Sequence, residues 1–282
     1  MAIQKKGIDI SKYQGKVDFK TLKDEVDFVI IRAGYGAGNY DSMLERNVTE
    51  CSNNGIDYGL YWFSYALTPE AGKKEADYIL DKIERLIVVN ALKPPTYPIC
   101  FDYEQDSYNN AKKKNVAPTK TVVQEIAKAF LDRVESRGYY AMLYTNIDFW
   151  NRGFGNLSSK YDIWLAQWKV SKPSKSCGIW QKSSEGKVKG INGNVDLDIA
   201  YKDYPVIIKN MKKKEEKEDE KKEENKEEKK VQVITEYVDK YLALADAVIA
   251  GDWGNGAARK RALNNSGYDY NFVQSLVDAI LK

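Results

Sequence analysis

Asp102 and Glu104 stand two residues apart, directly after the apolar run Ile99-Cys100-Phe101. In extended backbone, residues two apart project to the same face, so the two carboxyls point together from the end of a buried strand. In barrel enzymes that end of a strand is where sites are built. Neighbouring carboxyls push each other's pKa values apart, so one stays protonated as an acid while the other ionises. Cleavage of a glycosidic bond needs such a pair. Asp-x-Glu alone is a weak signal, since two surface acids on a loop give the same pattern. Company comes from Gly7-Ile8-Asp9-Ile10-Ser11 and Gly193-Asn194-Val195-Asp196-Leu197-Asp198, where Asp9 and Asp196 sit among apolar residues. A carboxylate in such surroundings is costly to bury without partners. Convergence of these strand-end acids on one pocket is the expectation, with a turn Asp or a salt-bridged Asp as the alternative for each.

The composition narrows the chemistry further. The 282 residues include no histidine, which removes His-ligated zinc and His-activated Ser or Cys nucleophiles. Acid–base work then falls to carboxylates, Tyr or Lys. Cys51, Cys100 and Cys177 are odd in number and far apart, implying neither a disulfide framework nor a metal cluster. No metal and no cofactor are therefore expected. A net charge of +3 is too small to argue for a nucleic-acid partner. No window is apolar enough for a membrane span. The N-terminal stretch enters strand-like sequence without the apolar core of a signal peptide, and synthesis in a reducing cytoplasm is expected. The 20 Tyr and 6 Trp against 8 Phe suit surfaces that stack against sugars.

Strand-like and helix-like segments alternate through the first 205 residues. Strands are predicted at 27–33, 56–65, 97–101, 139–145, 161–167 and 178–181. Helices are predicted at 42–54, closed by Gly55, from Pro69 through Leu86, and at 120–136 behind a Thr119 cap. The alternation argues for a parallel α/β architecture, and periodicity alone leaves a barrel and a doubly wound sheet both open. Residues 212–230 then hold nine Lys, nine acids and one Asn, a run that cannot bury a core. It reads as a spacer, either a flexible linker or a solvated helix with Glu/Lys pairs. The last fifty residues carry helical stripes at Tyr237, Tyr241, Leu244, Ala245 and Val248 and at Val273, Leu276, Val277 and Ile280, consistent with a three-helix bundle. The expected division is a catalytic domain at 1–209, a charged linker at 210–232 and a helical module at 233–282.

These motifs, in order, resemble glycoside hydrolase family 25, the lysozymes of many phage endolysins and bacterial autolysins. The likeness covers residues 5–204 and rests on GIDISKYQG at 7–15, VIIRAGYG at 29–36, YGLYWFSY at 58–65 and Asp-x-Glu at 102–104. It continues in LYTN at 143–146, WLAQW at 164–168 and IWQKSSEGKVKGINGNVDLD at 179–198. The resemblance implies an irregular, flattened β/α barrel of the TIM-like kind. It also implies bacterial peptidoglycan as partner, cut at the β-1,4 bond between N-acetylmuramic acid and N-acetylglucosamine. By the same likeness Glu104 is the general acid. Asp102 either orients the substrate's 2-acetamido group or supports a water, and Asp9 and Asp196 keep both in suitable protonation states. Tyr35, Tyr61, Tyr144, Trp164 and Trp168 are candidates for sugar stacking, with ordinary core packing as the alternative. Many members have Tyr-His-Phe where this chain has Tyr61-Trp62-Phe63, which leaves no role for a middle imidazole.

Residues 247–281 resemble the short, choline-independent wall-binding repeats of some pneumococcal phage lysozymes. That likeness makes Trp253, Asn255, Arg259, Tyr268 and Asp269 candidates for contacts with the wall, or for packing of the bundle. One copy is present, so weak binding is expected without avidity. The absent signal peptide fits an endolysin held in the host cytoplasm until a holin releases it. Two rival readings are a non-catalytic glycan-binding barrel and an amidase or peptidase, the latter disfavoured by the missing histidine.

Overall fold

Alternation along β5 (Ile99–Asp102) separates two layers. Ile99 and Phe101 pack outward against helices, whereas Cys100 and Asp102 point inward. The same sorting runs through β1 (Lys5–Ile10), β2 (Phe28–Tyr35), β4 (Asp57–Phe63), β6 (Ala141–Asn146) and β7 (Asp162–Ala166). With β8 (Ile179–Gly186) and β9 (Val195–Ala200), the sheet order is β1-β9-β8-β7-β6-β5-β4-β2. Pairing of β1 with β2 closes it into an eight-stranded barrel. The short β3 (Asn39–Tyr40) is an antiparallel appendage of β2. This computed structural model describes residues 3–282, except for the side chains of 214–231, 233, 234 and 237.

The barrel is not parallel throughout, as the alternating pattern led one to expect. β9 runs antiparallel to both β1 and β8. Residues 187–194 are too few for a crossover helix, and a short connection returns the chain antiparallel. The consequence for function is direct. The start of β9 lies at the rim where the parallel strands end, and that rim receives Asp196.

The outer layer begins with the single turn α1 (Phe19–Leu22). α2 (Leu44–Asn54) ends at Gly55 in left-handed backbone, φ 70°, the stop expected from a glycine. α3 (Pro69–Asn90) starts behind a Thr68 cap with proline in its first turn, where a missing N–H costs nothing. α5 (Lys120–Ser136) starts behind the Thr119 cap. Two short helices were not legible in the sequence, α4 (Gln105–Lys113) and α6 (Ile147–Arg152). Both directly follow strands, β5 and β6 respectively, at the site rim.

The opposite end of the barrel is plugged. Phe28 and Tyr97 stack with ring centres 4.2 Å apart. Tyr204 donates its hydroxyl to Asp162 Oδ2 at 2.6 Å, and Lys202 pairs with the same oxygen at 2.9 Å. With one mouth filled, only the rim at the carboxyl ends of the parallel strands is left for ligands.

The chain divides into two compact units, Met1–Lys212 and Lys213–Lys282. α7 (Tyr204–Ala250) has its beginning in the first and its end in the second. The expected linker, 210–232, falls within it, mostly on residues whose side chains lie outside the described set, as does Tyr237. In the second unit, α8 (Gly256–Asn265) and α9 (Tyr270–Ile280) join the end of α7. Tyr241, Leu244, Ala245, Val248, Leu263, Val273 and Val277 form its core.

Candidate active site

A cleft of about 260 Å³ opens at the rim, with Asp9, Asp102, Glu104 and Asp196 all in its lining. Tyr61, Tyr144, Trp164 and Trp168 line it as well. The four acids come from four places in the chain, and each position has a local cause. Asp102 ends β5 facing inward, Tyr103 turns out into the helix layer at 1% exposure, and Glu104 returns to the cleft. Glu104 is the residue before α4, and its N–H donates to Ser107 Oγ at 3.2 Å. Asp9 and Asp196 are direct partners across the β1–β9 ladder. The β4 end is pinned to β5 by the Ser64 N–H, which donates to the Asp102 carbonyl at 2.7 Å.

Burial dominates the electrostatics. It raises Asp102 well above the ordinary carboxylate range, Glu104 adds to the rise, and Arg32 opposes it. Burial also raises Glu104, while hydrogen bonding with the Tyr144 hydroxyl acts against it. Asp9 is raised by burial, then by Asp198 and Asp196. Asp196 is pushed up to about 6 by burial. Asp102 is 5% exposed, and its Oδ1 has no hydrogen-bond partner among the described residues. The cleft thus holds several carboxyls that cannot all ionise together, the condition for assigning separate acid and base duties.

Three residues escaped the sequence reading. Gln181 is a hub: its Nε2 donates to Asp9 Oδ2 at 2.8 Å, while its Oε1 accepts from Tyr144 at 3.3 Å and Trp168 Nε1 at 3.2 Å. Arg32 lines the cleft and is anchored by Asp41 at 2.7 Å. Asp198 lies 2% exposed beneath the site. The available signal for Asp198 was its spacing from Asp196, which repeats the two-residue step of Asp102 and Glu104. Gln181 and Arg32 carried no signal of their own, because a lone amide or guanidinium is ordinary on a strand.

The aromatics have different situations. Trp168 is 47% exposed and offers an open face. Trp164 does not fit the expectation of sugar stacking: it is 1% exposed, edge-on to Tyr61 and Tyr144 at 5.9 and 4.7 Å. Its Nε1 donates to Asp198 Oδ1 at 2.8 Å, so it floors the cleft. Tyr144 is buried and Tyr61 half-buried, both against Trp164. Tyr35 lies in an adjoining hollow that shares Arg32 and Phe63 with the cleft. On the other side, a hollow with Asn146 and Ile147 shares Glu104, Tyr144 and Trp168. The three hollows are continuous through these shared residues, a groove rather than a pit. Among the described residues no His, Cys, Asp or Glu group is arranged to hold a metal. No helix among them is long and apolar enough to cross a membrane.

In the second unit, several candidate residues are engaged within the fold. Arg259 donates to the Gly254 carbonyl and to Asn255 Oδ1, both at 2.9 Å. Asp269 caps α9 by accepting from the N–H groups of Asn271 and Phe272. Trp253 and Tyr268 meet edge to face at 6.0 Å, both half-buried.

Similarity to known proteins follows the same two units. Residues 243–281 match the CW_7 repeat. Lysozyme M1 of Streptomyces globisporus is 28% identical over 200 residues, 67% of this chain and 65% of that protein. The structure of the modular autolysin LytC from Streptococcus pneumoniae in complex with a synthetic peptidoglycan ligand superimposes with a TM-score of 0.61. That match is 28% identical and covers 70% of this chain and 47% of LytC. The catalytic domain of endolysin ply40, from bacteriophage P40 of Listeria monocytogenes, gives a TM-score of 0.60 at 28% identity, over 74% of this chain and 98% of that domain. The chain thus spans less than two thirds of the length of the lysozyme and of the autolysin. Residues 8–191 match the sequence model of glycosyl hydrolases family 25, and the chain belongs to that family.

Proposed function

We propose that this protein is a peptidoglycan hydrolase of the muramidase type, cutting the β-1,4 bond between N-acetylmuramic acid and N-acetylglucosamine. The observation that carries the reading is the gathering of Asp9, Asp102, Glu104 and Asp196 in one cleft of a groove open at both sides. A groove fits a polymer chain, and the raised, buried carboxyls fit acid catalysis. Glu104 is the general acid: burial raises its hold on the proton above that of an ordinary carboxyl, and Tyr144 orients it. Asp102, beside it with Arg32 as counter-charge, acts on the substrate's 2-acetamido group or on a water. Trp168, with its open face at the cleft, stacks a sugar.

The similarity to an endolysin catalytic domain supports a role as a phage endolysin released from the host cytoplasm. The match of residues 243–281 to the CW_7 repeat supports wall binding by the second unit, with 210–232 as spacer. Mass analysis of digested peptidoglycan tests the bond assignment. Muramic acid at the new reducing ends is expected; glucosamine ends or free peptides refute it.

A further inference from the structure

The groove does not stop at the three hollows around the cleft. The hollow that holds Tyr35, of about 400 Å³, shares Tyr65 and Asp106 with a fourth of about 540 Å³. Through these residues the groove continues along α4 to Lys112 and Lys113. Tyr65, at the junction, meets Phe63 and Tyr35 with ring centres 5.2 and 6.4 Å apart. Its backbone N–H donates to the buried Glu75 Oε1 at 3.0 Å, so the junction is fixed in place.

This arm is cationic where the cleft is anionic. Lys12 lies in the short turn Lys12–Gln14 that follows β1. Its backbone N–H donates to Asp41 Oδ2 at 3.0 Å, and the Ser11 N–H donates to Gln14 Oε1 at 2.9 Å. The backbone is thus anchored while the side chains stay open. Tyr13 is 76% exposed, against 47% for Trp168. Lys12 Nζ lies 5.4 Å from the Tyr13 ring centre and the Arg32 guanidinium 5.0 Å. The Arg32 charge is met by Asp41 at 2.7 Å. Lys12, Lys112 and Lys113 are exposed, and among the described residues none of them is in an ion pair. A single acid, Asp106, stands in the two linings. The hollow on the far side of the cleft has no cation in its lining, and its Asp148 is held by Arg152 at 2.6 Å.

A chain of N-acetylated sugars has no charge of its own. Peptidoglycan carries charge on the peptide stems of its muramic acid, whose free carboxylates are repelled by the four acids of the cleft. Deepening the muramidase reading, on which it rests, we propose that the arm from Lys12 to Lys113 is a specificity-determining subsite for those stems. Lys12, Lys112 and Lys113 take the stem carboxylates, and the open Tyr13 ring packs against the stem beside them. A lysine is a mobile point charge that needs no bidentate geometry, which suits a flexible peptide. Complementary charge of this kind selects among substrates more than it adds raw affinity.

The test compares two phosphate-free substrates: glycan chains that keep their stems, and the same chains stripped of stems by an amidase. The full-length wild type is expected to show the higher kcat/KM on stem-bearing chains, and this preference is expected to shrink as salt rises. Lys12→Ala is expected to lower the preference about two- to fivefold. Lys12→Ala, Lys112→Ala and Lys113→Ala together are expected to lower it at least about tenfold, through KM rather than kcat and with Tm unchanged. Lys12→Arg keeps the charge and is expected to keep the preference. A triple variant with wild-type preference, or a wild type with none, overturns the proposal. A lysine dependence seen only on walls that retain phosphate polymers also overturns it, in favour of wall phosphate as the ligand. Failure of the muramidase reading has a different signature. No muramic-acid ends then arise from either substrate, while the Glu104→Gln form still binds stem-bearing chains more tightly than its triple-lysine counterpart. The second unit is the same in every form and cancels in these comparisons.

Discussion

Asp9 and Asp196 face each other directly across the antiparallel pairing of β1 and β9. Like charges in that relationship oppose folding, and both groups sit where burial already disfavours ionisation. A strand pair selected for stability alone would place an apolar or opposite-charge pair there. The barrel carries this cost at its rim, where sites commonly trade stability for chemistry.

Removal of one charge from that pair is expected to stabilise the protein and impair it. Asp196 is raised from 3.8 to about 6, so wild-type stability from this group is full in acid and lost as pH rises through that interval. Asp196→Asn is expected to gain about 1 kcal/mol above pH 6, a Tm rise of roughly 2–4 °C. The gain is expected to vanish below pH 4, while kcat falls at every pH. Thermal scans across pH measure the first effect and initial rates the second.

Glu75 provides a second titration, away from the cleft. It is 3% exposed on α3, and its Oε1 accepts the Tyr65 N–H at 3.0 Å. It thereby braces the turn whose Ser64 N–H holds the Asp102 carbonyl. Burial raises Glu75 from 4.5 to about 7, so its contribution to stability is lost as pH rises between those values. Glu75→Gln keeps the acceptor and is expected to flatten this part of the Tm profile. Glu75→Ala leaves the Tyr65 N–H unpaired and is expected to cost about 1–3 kcal/mol. Denaturant unfolding at several pH values separates the two.

The two tryptophans of the cleft are expected to fail in different ways. Trp164 is core, 1% exposed, and Trp164→Ala is expected to lose about 3–5 kcal/mol of stability. Trp168 is 47% exposed, and Trp168→Ala is expected to fold normally while raising KM roughly two- to tenfold, the loss of one ring contact. Unfolding curves beside Michaelis plots give both answers.

For the second unit, truncation of residues 211–282 is expected to reduce pelleting with purified walls more than turnover on soluble fragments. Within the unit, Asp269→Ala is expected to cost about 1 kcal/mol through its α9 cap. A drop in wall binding beyond that loss of fold would give Asp269 a contact with the wall as well. Wall-pelleting assays paired with circular dichroism distinguish these effects.

Much of the barrel was legible because its strands are short apolar runs bounded by Gly, Pro and cap residues. Gly55, Pro69 and Thr119 each mark an observed helix boundary. The reversed direction of β9 was hidden, since a strand's local pattern does not encode the direction of its partners. α4 and α6 escaped because helices of nine and six residues span too few turns for a periodicity to show. In the site, Asp102 and Glu104 were readable from two-residue alternation, and Asp9 and Asp196 from acids in apolar runs. Gln181 was not: its importance lies in bonds to Asp9, Tyr144 and Trp168, each from a different strand or loop. Trp164 and Trp168 look alike in WLAQW, and only burial sets them apart.

The most direct measurement of the central claim is release of reducing sugar ends from purified peptidoglycan by wild type and Glu104→Gln across pH. Wild-type activity is expected to fall as rising pH removes the Glu104 proton, whose affinity burial raises. The Glu104→Gln form is expected to bind walls normally and to release ends at least about a hundredfold more slowly. Wild-type rates from Glu104→Gln would contradict its assignment as the general acid.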